Sequence, residues 1–135
     1  MINLTLQDLV RIDSATANYT QPDSGWVGVV WVQDATFWVD VRDLTVPQGA
    51  TLSLFLETAP ERDDELFRAA PMVAGGTNLT ALTTPDVVIV KVLLNQDPNV
   101  PVGRWIRWRL ELDQQGAFDV TLRILACCNP SGGGR

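Results

Sequence analysis

The sequence predicts an all-β protein: an antiparallel β-sandwich, jelly-roll-like, with about eight strands. Three observations support this prediction. Apolar and polar residues alternate along most segments, which is the period of a half-buried strand. Pro, Gly, Asn or Asp separates most of these segments at short intervals. No long segment has the apolar spacing of an amphipathic helix, and the single helical turn that we expect lies within residues 60–66.

The predicted strands are, in chain order, residues 5–12, 27–33, 35–42, 51–57, 66–73, 86–94, 104–112 and 117–126. Gln33 and Asp34 lie between the second and third segments, either as a turn or as a bulge within one long strand. Residues 86–94 are almost continuously apolar and rich in Val, which indicates a central strand buried on both faces. The last two segments flank a short polar connector that ends in Gly116, and this pattern predicts a β-hairpin.

The length of 135 residues suits one domain. We assign residues 1–128 to a single sandwich. Residues 129–135 contain three consecutive Gly residues and no side chain suited to a core, so we expect a Gly-rich C-terminal tail. The termini, Arg135 included, are expected to contact a partner.

The charge balance argues against nucleic acid as a partner. The net charge is −6, and nucleic-acid affinity depends on clustered Lys and Arg. No apolar segment reaches the roughly 18 residues of a membrane span, and the N-terminus lacks the basic and apolar parts of a signal peptide. We therefore expect a soluble product that is made and retained inside the cell and does not contact a membrane.

The residue types needed for common active sites are largely missing. The chain has no His, so it lacks Ser-His-Asp triads, Cys-His pairs and His-containing zinc sites. We predict that it is not an enzyme and assign no catalytic, cofactor-binding or metal-binding residue. A hydrolase that uses two of the 16 carboxylates is the weakest hypothesis, because no spacing selects a pair. Cys127 and Cys128 should point to opposite faces of a strand as thiols.

An acidic cluster falls in a predicted loop and consists of Glu61, Asp63, Asp64 and Glu65. A solvated loop is the favoured interpretation, because no calcium-binding spacing accompanies these residues. Pairing with Arg residues of a neighbouring subunit is the alternative.

The segment 104–109 is the most distinctive, because Trp105, Arg107 and Arg109 share one face of a predicted strand. Guanidinium groups can stack on an indole at this spacing, and Trp and Arg are enriched in interface hot spots. We predict that this face contacts a partner, together with Trp38 and Arg135. The alternative is an ordinary outer sheet face on which Arg side chains cover Trp.

Three further Trp residues are close in sequence, at Trp26, Trp31 and Trp38. Aromatic platforms on β-sandwiches hold sugars, which makes a carbohydrate-binding module the second hypothesis. The period of its strand places Trp31 in the core, whereas Trp26 and Trp38 are candidates for exposure.

Four segments in order carry a resemblance: 37–41 (Phe-Trp-Val-Asp-Val), 50–60 (a Leu-rich strand that ends in Glu-Thr-Ala-Pro), 103–110 (an Arg-aromatic strand) and 118–124. This order resembles small β-sandwich virion proteins of tailed bacteriophages and prophages, over about two-thirds of the chain. The resemblance lies in the order and the residue composition of the strands, and it implies no catalytic residue.

The resemblance implies a capsid decoration or cement protein, which binds and stabilises a protein shell as part of the virion. Its partner would be the major capsid protein or another shell protein. A homo-oligomer, for example a trimer, suits a symmetric lattice. No cofactor is implied.

Overall fold

In a computed structural model the chain forms two antiparallel sheets that pack against each other, as predicted. The structure describes residues 2–29, 31–69, 79–82, 86–92 and 103–130. Its strands are β1 (Ile2–Ser14), β2 (Asn18–Thr20), β3 (Val27–Gly28), β4 (Val32–Thr45), β5 (Leu52–Ala59), β6 (Arg68–Ala69), β7 (Leu79–Ala81), β8 (Asp86–Val92), β9 (Trp105–Leu112) and β10 (Phe118–Pro130). Two 3₁₀ turns, Asp23–Gly25 and Asp64–Leu66, accompany them. Neither turn approaches the length of a bilayer span, and no other helix lies in this part of the chain.

The first sheet has the strand order β1-β10-β4-β8, and the second has the order β2-β9-β5-β6, with β3 on β9 and β7 on β5. Among the described strands the chain changes sheet from β1 to β2, from β3 to β4, from β4 to β5, from β7 to β8, from β8 to β9 and from β9 to β10. Most strands therefore pair with strands that are distant in sequence. This connectivity is that of a double-sheet jelly roll.

The core lies between the two sheets and follows the alternation of the sequence. The fully buried side chains of the inner faces include Phe37, Val39 and Val41 of β4, Leu52, Leu54 and Leu56 of β5, Ile106, Trp108 and Leu110 of β9, and Val120, Leu122 and Ile124 of β10. Alternate residues of these strands point outward, so each sheet presents one outer face. The two outer faces are the surfaces on which a partner could dock.

The predicted hairpin between the last two strands is wrong. β9 belongs to the second sheet and β10 to the first, and the connector 113–117 carries the chain across the sandwich. Two strands that face each other across a core have the same alternation as two neighbours in a hairpin. The sequence pattern therefore identified both strands and not their partners.

β8 stands at one end of the first sheet and, within the described residues, pairs with β4 alone. The central position that we predicted for residues 86–94 is not found for residues 86–92, and residues 93–94 lie outside the described part of the chain. An apolar run reflects the environment of the side chains and does not set the number of paired edges.

The other strand boundaries differ less from the predicted ones. Gln33 and Asp34 lie inside β4, next to a shift in register against β10, so the bulge alternative is correct and the turn is not. Only Val27–Gly28 of the second predicted segment is a separate strand. Of 66–73, Arg68–Ala69 is strand, and 70–73 lie outside the described residues. β10 continues to Pro130, two residues into the predicted tail, and 131–135 also lie outside the described part.

Candidate interaction surfaces

The outer face of the second sheet is defined by the register of β5 against β9. Ser53, Phe55, Glu57 and Ala59 lie opposite Glu111, Arg109, Arg107 and Trp105, respectively. The predicted contact residues Trp105, Arg107 and Arg109 therefore share one face, as expected. We call this surface, with the loop 60–67 that covers part of it, the arginine face.

Arg107 is buried within this face, with 5% of its surface exposed. Its Nε donates a hydrogen bond to Oε1 of Glu57 at 2.9 Å, and its Nη1 donates to Oδ1 of Asp64 at 2.5 Å. The guanidinium carbon lies 4.0 Å from the ring centroid of Phe67 and 5.1 Å from that of Trp26. This guanidinium is enclosed by its own chain, so Arg107 has little surface left for a partner.

Arg109 is half-buried and is neutralised in the same way. Its Nε donates to Oε2 of Glu57 at 3.2 Å and its Nη1 to Oε2 of Glu111 at 2.6 Å, while the guanidinium carbon lies 4.3 Å from the ring of Phe55. Burial works against the charge, but the bonds to Glu111 and Glu57 outweigh it and raise the pKa of Arg109 above its usual value. The charge of Arg109 is thus already matched within the chain.

Trp105 is half-buried, and its cationic neighbour is not one of the residues that we predicted. The guanidinium of Arg62, in the loop 60–67, lies 5.6 Å from the ring of Trp105 and 5.6 Å from that of Trp26. Arg107 and Arg109 turn instead toward Glu57 on the neighbouring strand. Glu57 lies directly opposite Arg107 and diagonally opposite Arg109, which is within reach of both long side chains.

The acidic loop is exposed at Glu61, Asp63, Asp64 and Glu65. Asp64 pairs with Arg107 of the same chain. Asp63 caps the 3₁₀ turn by accepting a hydrogen bond from the backbone N–H of Glu65 at 3.1 Å. Within the described residues no group of carboxylates, Cys or His is arranged to hold a metal ion. The loop covers the arginine face.

The predicted sugar platform at Trp26 is not an open aromatic surface. Its Nε1 donates to the carbonyl oxygen of Gln21 at 2.8 Å, and its ring packs on Phe67 with the centroids 4.8 Å apart. Two guanidiniums lie close to the same ring, as described above. Trp31, by contrast, is partly buried and packs against the core, as predicted, although it lies in a turn before β4 and not in the predicted strand.

The outer face of the first sheet contains another predicted contact residue, Trp38. It lies opposite Leu125 of β10 on one side and opposite Ile89 of β8 on the other, and Leu125 in turn lies opposite Thr5 of β1. Trp38 and Leu125 line a groove of about 370 Å³, together with Asn3, Leu4, Thr5, Ala126 and Cys127. We call this surface the Trp38 groove.

A group of charged residues borders the Trp38 groove. Asp40 is two residues from Trp38 on the same face of β4. It accepts hydrogen bonds from Nε of Arg123 at 2.8 Å and from Nε of Arg42 at 2.9 Å. Burial disfavours the Asp40 carboxylate, but the bonds to Arg123 and Arg42 outweigh this and lower its pKa. The surface therefore has an apolar centre and a charged border.

Sequence reasoning missed two residues of these faces. Leu125 is an apolar residue at one of the outward, otherwise polar positions of β10. This exception to the alternation indicates an apolar patch on the outer face. Glu57 binds both arginines of the arginine face, and finding it required the register of β5 against β9, which local sequence does not contain.

The two Cys residues behave as predicted. Cys128 is buried on the inner face, Cys127 is half-buried on the outer face, and neither forms a disulfide. The Sγ of Cys127 donates a hydrogen bond to Oδ1 of Asn3 at 3.3 Å, at the edge of the Trp38 groove. The predicted contact at Arg135 lies outside the described residues.

No protein-family model, no curated protein and no solved structure matches this chain significantly.

Proposed function

We propose that this chain is a non-enzymatic structural protein that binds and stabilises a protein shell, of the capsid decoration or cement type, and that the Trp38 groove is its contact surface. The observation that carries the proposal is the outward apolar pair of Trp38 and Leu125 in the centre of a sheet face. The strand pattern that resembles tailed-phage virion proteins supports the same function.

The chemistry of the groove suits a protein partner. Interfaces combine a desolvated apolar or aromatic centre with a polar border, and Trp is among the residues that contribute most to their affinity. Trp38 and Leu125 form such a centre, and Asp40 with its two arginines forms such a border. A protein surface with an apolar projection and a few charges of its own would complement it.

The arginine face is the weaker candidate for this contact. Arg107 and Arg109 are bonded to three carboxylates of the same chain, namely Glu57, Asp64 and Glu111. A partner would have to break these bonds before it gained any from the same groups. In this proposal Trp105, Arg107 and Arg109 stabilise the fold, and Trp38 makes the contact.

A shell is a symmetric lattice, so a protein that decorates it makes the same contact many times. We propose that the chain acts there as a homo-oligomer, with a trimer as the first state to test, and that it resides in the virion after synthesis in the host cytoplasm. Light scattering during size-exclusion chromatography measures the oligomeric state directly.

The decisive experiment is co-sedimentation of the purified chain with shells assembled from the major capsid protein of the same genome. We expect saturable binding that Trp38→Ala weakens at least tenfold, because it removes the aromatic centre of the groove. Leu66→Ala is the matched control, since Leu66 is an apolar side chain, 40% exposed, on the loop that covers the opposite sheet. Absence of saturable binding, or equal effects of the two substitutions, would reject the proposal.

The alternative function is a carbohydrate-binding module. Trp26 is enclosed by neighbouring side chains, which weakens the hypothesis of a sugar platform at that residue. Trp38 is then the remaining candidate for an aromatic platform. Retention on immobilised polysaccharide that Trp38→Ala abolishes, without binding to shells, would favour this alternative.

A further inference from the structure

The strand β1 stands at one end of the first sheet and has a free outer edge. Among the described strands it pairs with β10 alone, and no strand pairs with its other side. It has 13 residues, so this free edge is long. The backbone N–H and C=O groups along a free edge can pair with another chain, unless the protein protects them.

The middle of this edge is irregular and partly occupied. The register of β1 against β10 shifts between Thr5 and Gln7 and again between Gln7 and Val10. At the first shift, the carbonyl oxygen of Leu6 already accepts a hydrogen bond from Nε2 of Gln21 at 2.7 Å. Bulges twist an edge strand away from a straight partner and so prevent pairing there. A strand from another chain therefore cannot continue past Leu6.

Charge divides the strand in the same way. All charged residues of β1 follow Leu6, namely Asp8, Arg11 and Asp13. Residues 2–5, by contrast, contain no charged residue, Pro or Gly, and they pair with β10 in unbroken register. Charged side chains and bulges are the usual protection of a free edge, and residues 2–5 have neither. We call residues 2–5 the open edge.

The open edge is continuous with the Trp38 groove. Asn3, Leu4 and Thr5 line the groove, and Thr5 lies opposite Leu125, which in turn lies opposite Trp38. Every second side chain of a strand added to the open edge would point to the same outer face. Asn3 and Thr5 are short and exposed, so a large side chain next to them would reach over Thr5 toward Leu125.

The composition of the open edge argues against a second copy of this chain as the occupant. In a symmetric pair, the second β1 would bring only Asn3 and Thr5 to the outer face, and both are polar. The centre of the groove is apolar and needs an apolar side chain to exclude water from Trp38 and Leu125. Two copies joined along the open edge alone would also bury far less than the roughly 1,200 Å² of a stable interface.

We infer that the open edge binds an extended segment of the shell protein, which adds to the first sheet as a further strand and places a large apolar side chain in the Trp38 groove. The paired part of this segment is uncharged, because the open edge has no charged group to match one. Backbone hydrogen bonds supply the affinity of such a contact, and the groove selects the side chain. The inference rests on the proposed shell binding and specifies the form of the partner: an extended strand in place of a folded protrusion.

The test measures backbone hydrogen exchange by mass spectrometry, for the free chain and for the chain bound to shells assembled from the major capsid protein of the same genome. In the free chain, the N–H groups of the open edge that point away from β10 should exchange rapidly. On shells, their exchange should slow about tenfold or more, because the added strand accepts their hydrogen bonds. Residues 10–14 of the same strand lie beyond the bulge, and their exchange should not change.

A pair of matched variants tests the open edge by affinity. Thr5→Lys adds the kind of charge that protects natural edges, and it should weaken shell binding about tenfold, because the contact would have to desolvate that charge. Thr45→Lys is the control, since Thr45 is also exposed and lies at the far end of β4, opposite Asp119. It should bind shells like the original protein. Thermal unfolding checks that both variants are folded.

Three results would overturn the inference. One is saturable shell binding without slower exchange at the open edge, which would leave the proposed contact at Trp38 intact. Another is equal shell affinity of Thr5→Lys and Thr45→Lys. The third is exchange at the open edge that slows in the free chain as its concentration rises, because the occupant would then be a second copy. Absence of any shell binding is a distinct result, which would reject the proposed function and this inference with it.

Discussion

Glu57 on β5 lies opposite Arg107 on β9 and accepts a hydrogen bond from its Nε at 2.9 Å, although only 7% of Glu57 and 5% of Arg107 are exposed. The second oxygen of Glu57 accepts from Arg109. One carboxylate therefore bridges two guanidiniums between the strands, and Asp64 and Glu111 supply the further negative charge. The arginine face is a stabilising element of the second sheet.

Replacing Glu57 by Leu should lower the free energy of unfolding by about 3 kcal/mol, because it leaves Arg107 buried with fewer acceptors. Urea unfolding at neutral pH measures the change. The double variant Glu57→Leu, Arg107→Met should recover at least half of the loss, since an apolar pair replaces a broken ion pair. A single variant within about 0.5 kcal/mol of the original protein would contradict this interpretation.

Gly103 lies where the chain enters β9, and a side chain does not fit there. An added Cβ would lie 2.3 Å from the carbonyl oxygen and 2.4 Å from the carbonyl carbon of Ala59, which are backbone atoms. The N–H of Gly103 also donates to Oγ1 of Thr58 at 2.8 Å, so the segment has no freedom to withdraw. Gly103→Ala should therefore cost about 2 kcal/mol or more.

Gly28→Ala is the matched control for that substitution, because the nearest atoms to its added Cβ are 3.9 Å away. Thermal unfolding of the two variants should separate them clearly, with Gly28→Ala close to the original protein. Equal melting temperatures would show that the backbone around Ala59 moves to accommodate a methyl group.

The alternation of the sequence was sufficient to predict which residues form the core. Leu52, Leu54 and Leu56 are buried as expected, and so are Ile106 and Trp108. The reason is physical: the side chains of a strand point alternately to its two faces, so one buried face leaves a period of two in the sequence. The sandwich class followed from the number and spacing of such strands.

The pairing of strands was not predictable in the same way. β9 and β10 both have one apolar face, and that pattern does not distinguish neighbours in one sheet from opposite strands of two sheets. Likewise, the enclosure of Arg107 depends on Asp64 and Phe67 in a loop some 40 residues earlier in the chain. Such contacts between distant segments are set by the tertiary fold, and a local pattern carries no information about them.

The two Cys residues should differ in reactivity. Cys127 is half-buried beside the Trp38 groove, whereas Cys128 is 1% exposed on the inner face. A thiol must be reached by solvent and reagent before it reacts. Native protein should thus react with one equivalent of a disulfide reagent such as Ellman's, and unfolded protein with two.

Cys127→Ser is the control for this assignment and should abolish the reaction in the native state. In complex with shells, protection of Cys127 from the reagent would place the contact at the groove. Rapid reaction of both thiols in the native state would mean that the inner end of β10 is open to solvent.

Asp40 should make the stability of the protein depend on pH in the acidic range. Its pKa is lowered in the folded state by Arg123 and Arg42 against the opposing effect of burial, so folding favours the ionised form. The resulting stabilisation is present above the unfolded-state pKa of about 4 and is lost as the pH falls through the lower folded-state value. Both arginines are substantially exposed, which limits the contribution to about 1 kcal/mol.

Asp40→Asn should therefore be less stable than the original protein at pH 7, and the difference should shrink as the pH falls below about 4. Arg123→Met should show part of the same convergence, because it removes one of the two donors. Urea midpoints measured from pH 7 down to pH 2 test both variants. A difference that stays constant across this range would mean that Asp40 acts through packing, since a contribution from its charge must vanish when the carboxyl is protonated.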